Sequence, residues 1–345
     1  MRLAVDAQNV LTDCQGIGRY VRTLLRLFLA DPHVEATLMV RAVVPLVTRH
    51  RIAALLERGR FATASAVPRA ADVVWHPWNG TFFESERPSV ATVHDAVPFA
   101  FPSADPVRRA REQEPFLRTA RTARLIIAVS QAGAREISAR LGVPEERVRV
   151  IYHGVAPIFS PAPAKGASAR GAGYLLFVGN PMQELKNFAL LHRAYRRAWE
   201  AGRGPELVVV GGAADGFEGA RCVPAIRGGG ASRDADGRMS ELYRGALALC
   251  IPSHFESFGM PMLEAMACGT PVLAAATGAL PEISGGAALL LDADDEELWA
   301  EALRSVAGDG ALRARLRAAG IERARSFSWE RCAAQTLAVL EEAAR

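Results

Sequence analysis

Cysteine and lysine are scarce in this sequence, and long apolar runs are missing. The five cysteines among 345 residues are odd in number and never stand in C-x-x-C spacing. This arrangement argues against a zinc site or a disulfide framework and fits free thiols in a reducing compartment. No apolar stretch approaches the roughly 20 residues that cross a bilayer, and the first residues lack the layout of a signal peptide. We therefore expect the chain to stay in the cytoplasm.

The charge is mildly basic, with a formal net charge of +4 and the excess of basic residues in positions 1–160. No basic platform interleaved with aromatic residues is present, so nucleic acid is not an expected partner. The stretch 107–124 predicts a helix with an arginine-rich face. Such a face fits either weak peripheral contact with an anionic inner membrane surface or simple exposure to water.

The length suggests two domains, because one domain usually takes about 100–200 residues. Short apolar segments such as "DVVWH" and "LIIAVS" alternate with amphipathic helical segments in both halves of the chain. This alternation predicts parallel sheets covered by helices on both faces. Residues 160–173, rich in Pro, Ala, Gly and Ser, indicate a linker between the halves. We predict an α/β protein of two Rossmann-like, doubly wound domains that face a central cleft at the carboxyl ends of their strands.

A glycine pair, Gly16 and Gly18 in "GIGRYV", resembles a dinucleotide-binding fingerprint. Val21 replaces the last small residue of that fingerprint, and about ten residues separate the pair from the first strand, so a nicotinamide or flavin site is not expected. The pair still fits a helix N-terminus that offers backbone N–H groups to an anion or a sugar. The alternative is a glycine turn ahead of a helix.

The second half repeats this layout in "FVGNPMQELKN", where a strand ends at Gly179 and Lys186 stands near the start of a helix. A lysine is unfavourably placed at the positive end of a helix dipole unless an anion lies between them. Lys186 is also one of only two lysines in an arginine-rich chain. This pattern favours a contact between Lys186 and a phosphate group.

Two glutamates, Glu256 and Glu264, flank the predicted start of a helix in "HFESFGMPMLEAMACG". Proline at the first helical position and glycine at the C-cap are typical helix boundaries. The backbone amides of residues 257–260 would then lie at a helix N-terminus, between two carboxylates. A nucleotide sugar, with hydroxyl groups at both ends and phosphates between them, fits this arrangement. The alternative is one acidic residue that complements the helix dipole and one that faces solvent.

At this point the sequence resembles a known family, the retaining nucleotide-sugar glycosyltransferases of family 4, which have the GT-B fold. "PSHFESFGMPMLEAMACGTPVLA" (residues 252–274) matches that family's E-x7-E signature, which is highly specific. Weaker matches include "DAQNVLTDCQGIGRY", "ATVHDAVPFAFP", "IYHGV" and "VGNPMQELKN", so the resemblance covers nearly the whole chain. It implies an acceptor-side domain at 1–163, a donor-binding domain at 172–325 and a C-terminal helix at 326–345 that packs back on the first domain.

The resemblance also implies roles for individual residues on the donor side. Glu256 is expected to contact hydroxyl groups of the donor sugar, Glu264 the ribose, and Lys186 the diphosphate. Further donor contacts are expected from Gly16, Gly18, Arg19, Gly179, Asn180, Ser257, Phe258, Gly259 and Met260.

The acceptor side is expected to involve three residues of the N-terminal half. His94 stands at a strand end beside Asp95, where it is expected to approach the donor sugar or the acceptor hydroxyl. Asn79, in the loop "PWNGTFFESERP", is expected to meet the acceptor with the aromatic residues near it. Catalysis would then depend on Glu256, His94 and Lys186.

One departure from the family pattern concerns the diphosphate. Family members usually carry an arginine directly after the strand-ending glycine, and here that position is Asn180. Lys186, the helix dipole and Arg19 would then have to stabilise the leaving group. Leu185, where related members often have histidine, is a second departure.

No metal or other cofactor is expected, because lysine and helix amides can neutralise the diphosphate. Two Asp-x-Asp strings, Asp234/Asp236 and Asp292/Asp294, have the spacing of metal ligands, but a loop and an ordinary helix start explain them. The expected donor is a hexose or deoxyhexose linked to a nucleotide, and a GDP-linked sugar such as GDP-mannose is favoured over a UDP-linked one. The expected acceptor is a glycan or a secondary metabolite. One alternative is another enzyme on the same fold, an epimerase or a sugar phosphorylase. A phosphorylase of the glycogen type needs a lysine that holds pyridoxal phosphate, and Lys165 and Lys186 are poor candidates for it. The other alternative is a non-catalytic protein that binds nucleotide sugars.

Overall fold

The computed structural model describes residues 1–13, 16–40, 45–57, 60–162, 173–199, 203–213, 216–224, 226 and 233–345. Most of the predicted linker, Lys165, Cys14 and the side chain of Asp234 lie outside the described residues. The chain forms two compact units, one of residues 1–154 with Trp329–Arg345 and one of residues 155–228 with 232–328. Among the described helices, none combines the length and the apolar character that a membrane span requires.

The first unit is built on a sheet whose described strands are all parallel, in the order β3-β2-β1-β4-β5-β6-β7. The strands are β1 (Arg2–Asp6), β2 (Glu35–Met39), β3 (Phe61–Ala64), β4 (Val73–His76), β5 (Ser89–Val93), β6 (Leu125–Ala128) and β7 (Val148–Val150). The helices are α1 (Gly16–Ala30), α2 (Pro45–Leu55), α3 (Val97–Ala100), α4 (Pro106–Thr122), α5 (Gln131–Leu141) and, from the end of the chain, α12 (Trp329–Ala344).

The second unit has a parallel sheet of the same kind, in the order β10-β9-β8-β11-β12-β13. Its strands are β8 (Tyr174–Val178), β9 (Leu207–Val210), β10 (Ala220–Val223), β11 (Ala246–Ile251), β12 (Val272–Ala275) and β13 (Leu289–Leu291). Its helices are α6 (Phe188–Ala198), α7 (Arg233–Gly245), α8 (Met260–Cys268), α9 (Leu280–Ser284), α10 (Glu296–Gly308) and α11 (Gly310–Ala324).

The strand order gives each sheet a topological switch point. The winding direction reverses between β1 and β4 in the first sheet and between β8 and β11 in the second. In open parallel sheets, ligands bind in the crevice outside the carboxyl ends of the strands at this point. The loops that follow these strands are therefore the places to look for functional side chains.

The prediction of an α/β fold with parallel sheets is confirmed, and most predicted strands are present. Strands buried on both faces were predicted because they are almost wholly apolar, as in "SVATV" (β5) and "LIIA" (β6). Strands β3, β7 and β10 were not predicted, because they lie at or near sheet edges and are only partly buried. Helix α11 was also missed, and its mixed alanine and arginine sequence gives only a weak apolar stripe.

The core of the second unit suggests a matched test of packing on one helix. Leu303 of α10 is fully buried beside Trp299 and the side chains of α6, whereas Leu298 on the same helix is 37% exposed. We expect Leu303→Ala to lower the free energy of unfolding by about 2–5 kcal/mol, because it removes apolar contacts and leaves a cavity.

The control Leu298→Ala should change the free energy of unfolding by less than about 0.5 kcal/mol. Urea denaturation followed by circular dichroism measures both variants. Equal losses for the two leucines would contradict the packing described for α10.

Candidate active site

The switch point of the second sheet is bordered by the loops that follow β8 and β11. Gly179 directly after β8 has φ of 149°, a conformation that side-chain-bearing residues rarely adopt. A Cβ on Gly211, after the neighbouring strand β9, would lie 2.7 Å from the carbonyl oxygen of Gly179. Two glycines therefore allow these strand ends to approach each other closely.

Lys186 and Glu256 form an ion pair at this switch point. Lys186 Nζ donates to Glu256 Oε1 at 2.7 Å, and the hydroxyl of Ser253 donates to the same oxygen at 2.8 Å. The side chains are only 28% and 15% exposed, so the pair is partly withdrawn from water. In the described part of the chain, Glu256 Oε2 accepts no hydrogen bond, and the ammonium group of Lys186 has two further N–H donors. Both groups can still bind a ligand.

The two loops that carry this pair are tied together by hydrogen bonds. Asn187, in the left-handed region with φ of 49°, donates from its amide group to the carbonyl oxygens of Pro252 (3.1 Å) and Ala293 (2.8 Å). The backbone N–H of His254 donates to Leu185 O at 2.9 Å. A Cβ on Gly278 would lie 2.4 Å from Glu256 O, so this glycine permits close packing behind the glutamate. These contacts fix the position of Glu256 relative to the loop that carries Lys186.

Helix α8 begins at Met260, four residues after Glu256. Gly259 is its N-cap with φ of 89°, Pro261 lies in its first turn, and Gly269 in the left-handed conformation ends it. The predicted helix boundaries are thus present. Phe258 and Gly259 are buried, whereas Ser257 and Met260 are partly exposed. The N–H of Met262 already bonds to Gly259 O at 3.0 Å and Pro261 has no N–H, so this end of α8 attracts an anion chiefly through the positive end of the helix dipole.

Glu264 lies inside α8 and is 6% exposed. Its Oε2 accepts a hydrogen bond from the Tyr243 hydroxyl at 2.9 Å, and Tyr243 itself is fully buried. The position is therefore not that of a solvent-facing glutamate. The Tyr243 hydroxyl therefore helps to fix the orientation of this buried carboxylate.

Asn180 is exposed, and its Oδ1 accepts a hydrogen bond from the backbone N–H of Met182 at 3.0 Å. The side chain is thus used to shape the turn after β8. It supplies no positive charge to the switch point.

The glycine pair of the N-terminal half lies inside a helix. Helix α1 begins at Gly16, so Gly16, Gly18 and Arg19 form its first turn. A Cβ on Gly18 would lie 2.0 Å from Asp13 O, so a glycine is needed for the helix to start this close to the preceding loop. The predicted helix N-terminus is present, and the predicted glycine turn ahead of the helix is not.

Asn79, His94 and Asp95 are brought together after β4 and β5. Asn79 has φ of 62°; its Oδ1 accepts from the backbone N–H of His94, and its Nδ2 donates to Asp95 Oδ2 at 3.0 Å. His94 is 7% exposed, and its Nε2 lies 2.9 Å from Pro77 O. This distance assigns the ring proton to Nε2, which leaves Nδ1 as an acceptor.

A buried aromatic cluster surrounds His94. Its ring stacks on His153 at 5.5 Å between centroids, and Tyr20 packs edge-on against His94 and also contacts His153. Burial lowers the pKa of His94, although Pro77 O and Asp95 act in the opposite direction. Burial and then the neighbouring His94 lower the pKa of His153 well below its ordinary value. Both imidazoles are therefore neutral at pH 7.

The described residues contain no group of three or more His, Cys, Asp or Glu side chains that could hold a metal ion. Asp292 Oδ1 accepts from the backbone N–H of Asp294, a local turn just before α10. On α4, Arg108 pairs with Glu112, and Glu114 pairs with Arg118 and Arg121.

Comparison with known proteins identifies the family. The model for "Glycosyltransferase Family 4" matches residues 15–157, and that for "Glycosyl transferases group 1" matches residues 172–309. The chain belongs to glycosyltransferase family 4. Escherichia coli O-antigen chain mannosyltransferase B is 29% identical over 77% of this chain and 73% of its own length.

A D-inositol 3-phosphate glycosyltransferase of Nocardioides sp. is 34% identical over 64% of this chain. The chain spans only 54% of the length of that enzyme. The crystal structure of HepE from Anabaena in complex with UDP-glucose matches with a TM-score of 0.70 and 16% identity, over 99% of this chain and 100% of that one. The fold of this family 4 glycosyltransferase is GT-B.

Two side chains that shape the glycosyltransferase site were not predicted from the sequence. Ser253 shares an oxygen of Glu256 with Lys186, and Tyr243 binds Glu264. Ser253 stands three residues before Glu256, just after a buried strand, which is a spacing that could have marked it. Tyr243 comes from α7, which was not predicted as a helix, and no local pattern connects it with Glu264.

The histidine cluster makes the stability of the glycosyltransferase depend on pH. A lowered pKa in the folded state means that the unfolded chain binds more protons below about pH 6.5. The cluster's contribution is therefore complete above about pH 6.5 and is lost as the pH falls. We expect His153→Phe to reduce this loss by up to about 1.4 kcal/mol per pH unit, relative to the wild type.

Urea unfolding between pH 5 and pH 8 measures this difference. His33→Gln, at an exposed histidine of the same unit, is the control and should keep the wild-type pH dependence. An unchanged pH dependence in His153→Phe would contradict the neutral, buried state assigned to His153.

Proposed function

We propose that this glycosyltransferase transfers a hexose or deoxyhexose from a nucleotide sugar to a hydroxyl group of a glycan or secondary metabolite, with retention of the anomeric configuration. The observation that carries the proposal is the Lys186–Glu256 pair at the switch point of the second sheet, beside the N-terminus of α8. A cation, a carboxylate and the positive end of a helix dipole lie together there, and a sugar diphosphate can bind to all three.

On the donor side, Glu256 uses its Oε2 to accept hydrogen bonds from the sugar hydroxyl groups. The backbone amides at the start of α8 contact the sugar and the diphosphate, and Glu264 binds the ribose hydroxyls through the oxygen that Tyr243 does not hold. The support for these roles is geometric, since Glu256 lies just before the N-terminus of α8 and Glu264 is buried inside the same helix, where Tyr243 fixes its carboxylate.

The leaving diphosphate is stabilised by Lys186 and by the dipole of α8, without a metal ion. Lys186 donates one of its three N–H bonds to Glu256 and has two left for phosphate oxygens. Asn180 adds no charge at the position where the family pattern has an arginine. In the second unit, the proposed site therefore relies on Lys186 as its cation. Fixed donors of this kind are effective because they need no reorganisation during the reaction.

In the proposed reaction, the bond between the anomeric carbon and the diphosphate oxygen breaks, and its electron pair leaves with the diphosphate. The acceptor oxygen forms the new bond to the anomeric carbon on the same face, and its proton passes to the departing phosphate oxygen. Glu256 stabilises the positive charge that develops on the sugar ring and is not the nucleophile.

On the acceptor side, His94 contributes the neutral acceptor atom Nδ1, which can receive a hydrogen bond from a substrate hydroxyl group. Asn79 holds Asp95 and the His94 backbone in place. Weak membrane contact through residues 107–124 stays a prediction, and three of the arginines in that stretch pair with glutamates of α4.

For the nucleotide of the donor, we favour GDP over UDP. The mannosyltransferase relative favours a mannose-type donor, whereas the structural neighbour was solved with UDP-glucose. A thermal-shift panel of GDP-, UDP-, ADP- and dTDP-sugars separates these donors, because a ligand at 100 times its Kd stabilises by about 2.7 kcal/mol.

Release of nucleoside diphosphate from the preferred nucleotide sugar, with and without acceptors, tests the function itself. Transfer predicts release that rises with acceptor, whereas an epimerase changes the sugar without release. A phosphorylase needs inorganic phosphate, and a non-catalytic binding protein gives no turnover.

We also expect EDTA to leave the transfer rate within about twofold, since lysine and helix amides supply the positive charge. A loss that Mg²⁺ restores would contradict metal independence.

We expect Glu256→Gln to lower kcat by about 10²–10³, because it removes the charge that stabilises the developing cation. Its affinity for the nucleoside diphosphate should fall far less than kcat. Steady-state kinetics and calorimetric titration measure the two effects. Glu184→Gln, at an exposed glutamate two residues before Lys186, is the matched control and should keep the wild-type kcat. Near-normal turnover in Glu256→Gln would refute the role of Glu256.

A further inference from the structure

Tyr243 lies near the end of α7 and reaches Glu264, the buried glutamate of α8. Its hydroxyl donates to Glu264 Oε2 at 2.9 Å, and Tyr243 and Glu264 are 0% and 6% exposed. A carboxylate this far from water needs polar partners in the protein, because burial of an unpaired charge costs free energy. The hydrogen bond therefore ties the orientation of the Glu264 carboxylate to the position of the tyrosine ring.

Tyr243 is itself held by two further contacts. Its ring packs edge-on against Phe159, with 6.0 Å between the ring centroids. The hydroxyl of Thr270, a buried residue just after α8, donates to the Tyr243 carbonyl oxygen at 2.6 Å. Tyr243 is thus bonded to α8 through Glu264 and to the loop after α8 through Thr270. A ring fixed in this way can hold the glutamate in place before a ligand binds, so that less conformational freedom is lost on binding.

Helix α7 is also bonded to the segment of the same unit that precedes β8 in the chain. The Ser240 hydroxyl donates to Ile158 O at 3.0 Å. The guanidinium of Arg244 donates from Nε to Ser160 O at 2.7 Å. These bonds come from residues three before and one after Tyr243, so α7 cannot rotate about its axis without breaking them. The position of the helix therefore fixes the phenol that holds Glu264.

We propose that Tyr243 is a positioning residue for the donor: by fixing Glu264, it makes the site prefer a ribonucleoside diphosphate sugar over its 2′-deoxy counterpart. The proposal rests on the proposed role of Glu264 as the ligand of the ribose. A carboxylate held in one orientation can accept hydrogen bonds from two neighbouring hydroxyl groups at once. A ribose without its 2′-hydroxyl leaves part of that buried acceptor unsatisfied, which lowers affinity.

The class of donor follows from this arrangement. GDP-, UDP- and ADP-linked sugars carry both ribose hydroxyl groups, whereas dTDP-linked sugars lack the 2′-hydroxyl. A fixed carboxylate therefore disfavours dTDP-linked donors, and a carboxylate free to turn would discriminate less, because it could adjust to the single remaining hydroxyl.

The alternative is a purely structural role for the Tyr243 hydroxyl. Buried tyrosines usually find a hydrogen-bond partner, whatever the function of that partner. Under this alternative, Tyr243→Phe would lower stability and leave the ratio of affinities for ribose and 2′-deoxyribose ligands unchanged. Tyr195 of α6 offers a matched control in the same unit, because its hydroxyl donates to Pro205 O at 2.9 Å. Tyr195→Phe likewise removes one phenol hydrogen bond.

The probes are GDP and UDP with their 2′-deoxy counterparts, each titrated calorimetrically into the full chain. We expect the wild type to bind the preferred ribonucleoside diphosphate about tenfold or more tightly than its 2′-deoxy form, because a buried hydrogen bond to a charged group is lost. Tyr243→Phe should reduce this ratio to about threefold or less, by weakening the ribose form while affinity for the 2′-deoxy form changes by less than about twofold. Glu264→Gln should lose most of the preference, and Tyr195→Phe should keep it.

Two further measurements separate positioning from structure. Phe159→Leu keeps the phenol and removes the ring that packs against it, so it should lower the ratio by about two- to threefold; this variant decides the question if Tyr243→Phe does not fold. In steady-state kinetics, Tyr243→Phe should raise KM for the donor about tenfold and leave kcat within about threefold, since the ribose lies away from the anomeric carbon.

A wild-type ratio in Tyr243→Phe, or an equal loss of affinity for the ribose and 2′-deoxy forms, would overturn the proposal. If Glu264→Gln loses the preference while Tyr243→Phe keeps it, only the role of Tyr243 fails. If the wild type shows no preference, the ribose-binding role proposed for Glu264 fails as well. Release of nucleoside diphosphate from the nucleotide sugar is measured in parallel, and its absence would refute glycosyl transfer itself, independently of the affinity ratios.

Discussion

The ion pair between Lys186 and Glu256 is the interaction on which the donor-binding half depends. Each residue lies on a loop after one of the two strands that flank the switch point, so the pair fixes the two loops relative to each other. A partly buried carboxylate needs a charged or hydrogen-bonding partner, and Glu256 has both Lys186 and Ser253. In the proposed reaction, a sugar diphosphate would add a second anion to the same ammonium group, and the sugar would meet Glu256 Oε2.

Both units use the same device to support their loops. Two of the three described non-glycine residues with positive φ are asparagines, Asn79 and Asn187, and each follows a strand that borders a switch point. Asparagine tolerates the left-handed conformation better than most residues, and its amide group can bond to neighbouring backbone. Asn187 ties its turn to Pro252 and Ala293, and Asn79 holds His94 and Asp95. The side chains of the candidate site are thus positioned by turns with left-handed asparagines that are well hydrogen-bonded.

Much of this architecture could be predicted from the sequence, because buried parallel strands are continuous apolar runs and helix ends carry proline and glycine. Strands β3 and β10 lie at sheet edges and are only partly buried, so the sequence did not mark them by a continuous apolar run. The E-x7-E motif located Glu256 and Glu264, since both lie on one loop and the helix after it. Ser253 lies three residues before Glu256, a local spacing that could have marked it, whereas Tyr243 meets Glu264 only through tertiary packing, which spacing alone does not encode. The close approach of Gly18 to Asp13 O could not be predicted, because it depends on how the preceding loop folds against the first turn of α1.

Calorimetric titration of GDP, UDP and the corresponding nucleosides into the wild type and Lys186→Met tests the central claim most directly. If Lys186 is the cation that binds the diphosphate, the variant should lose about tenfold or more in affinity for the preferred nucleoside diphosphate, since hydrogen bonds to charged groups contribute about 1.5–3 kcal/mol. Its affinity for the phosphate-free nucleoside should not change. Equal affinities of the variant and the wild type for the diphosphate, or an equal loss for the nucleoside, would contradict the account.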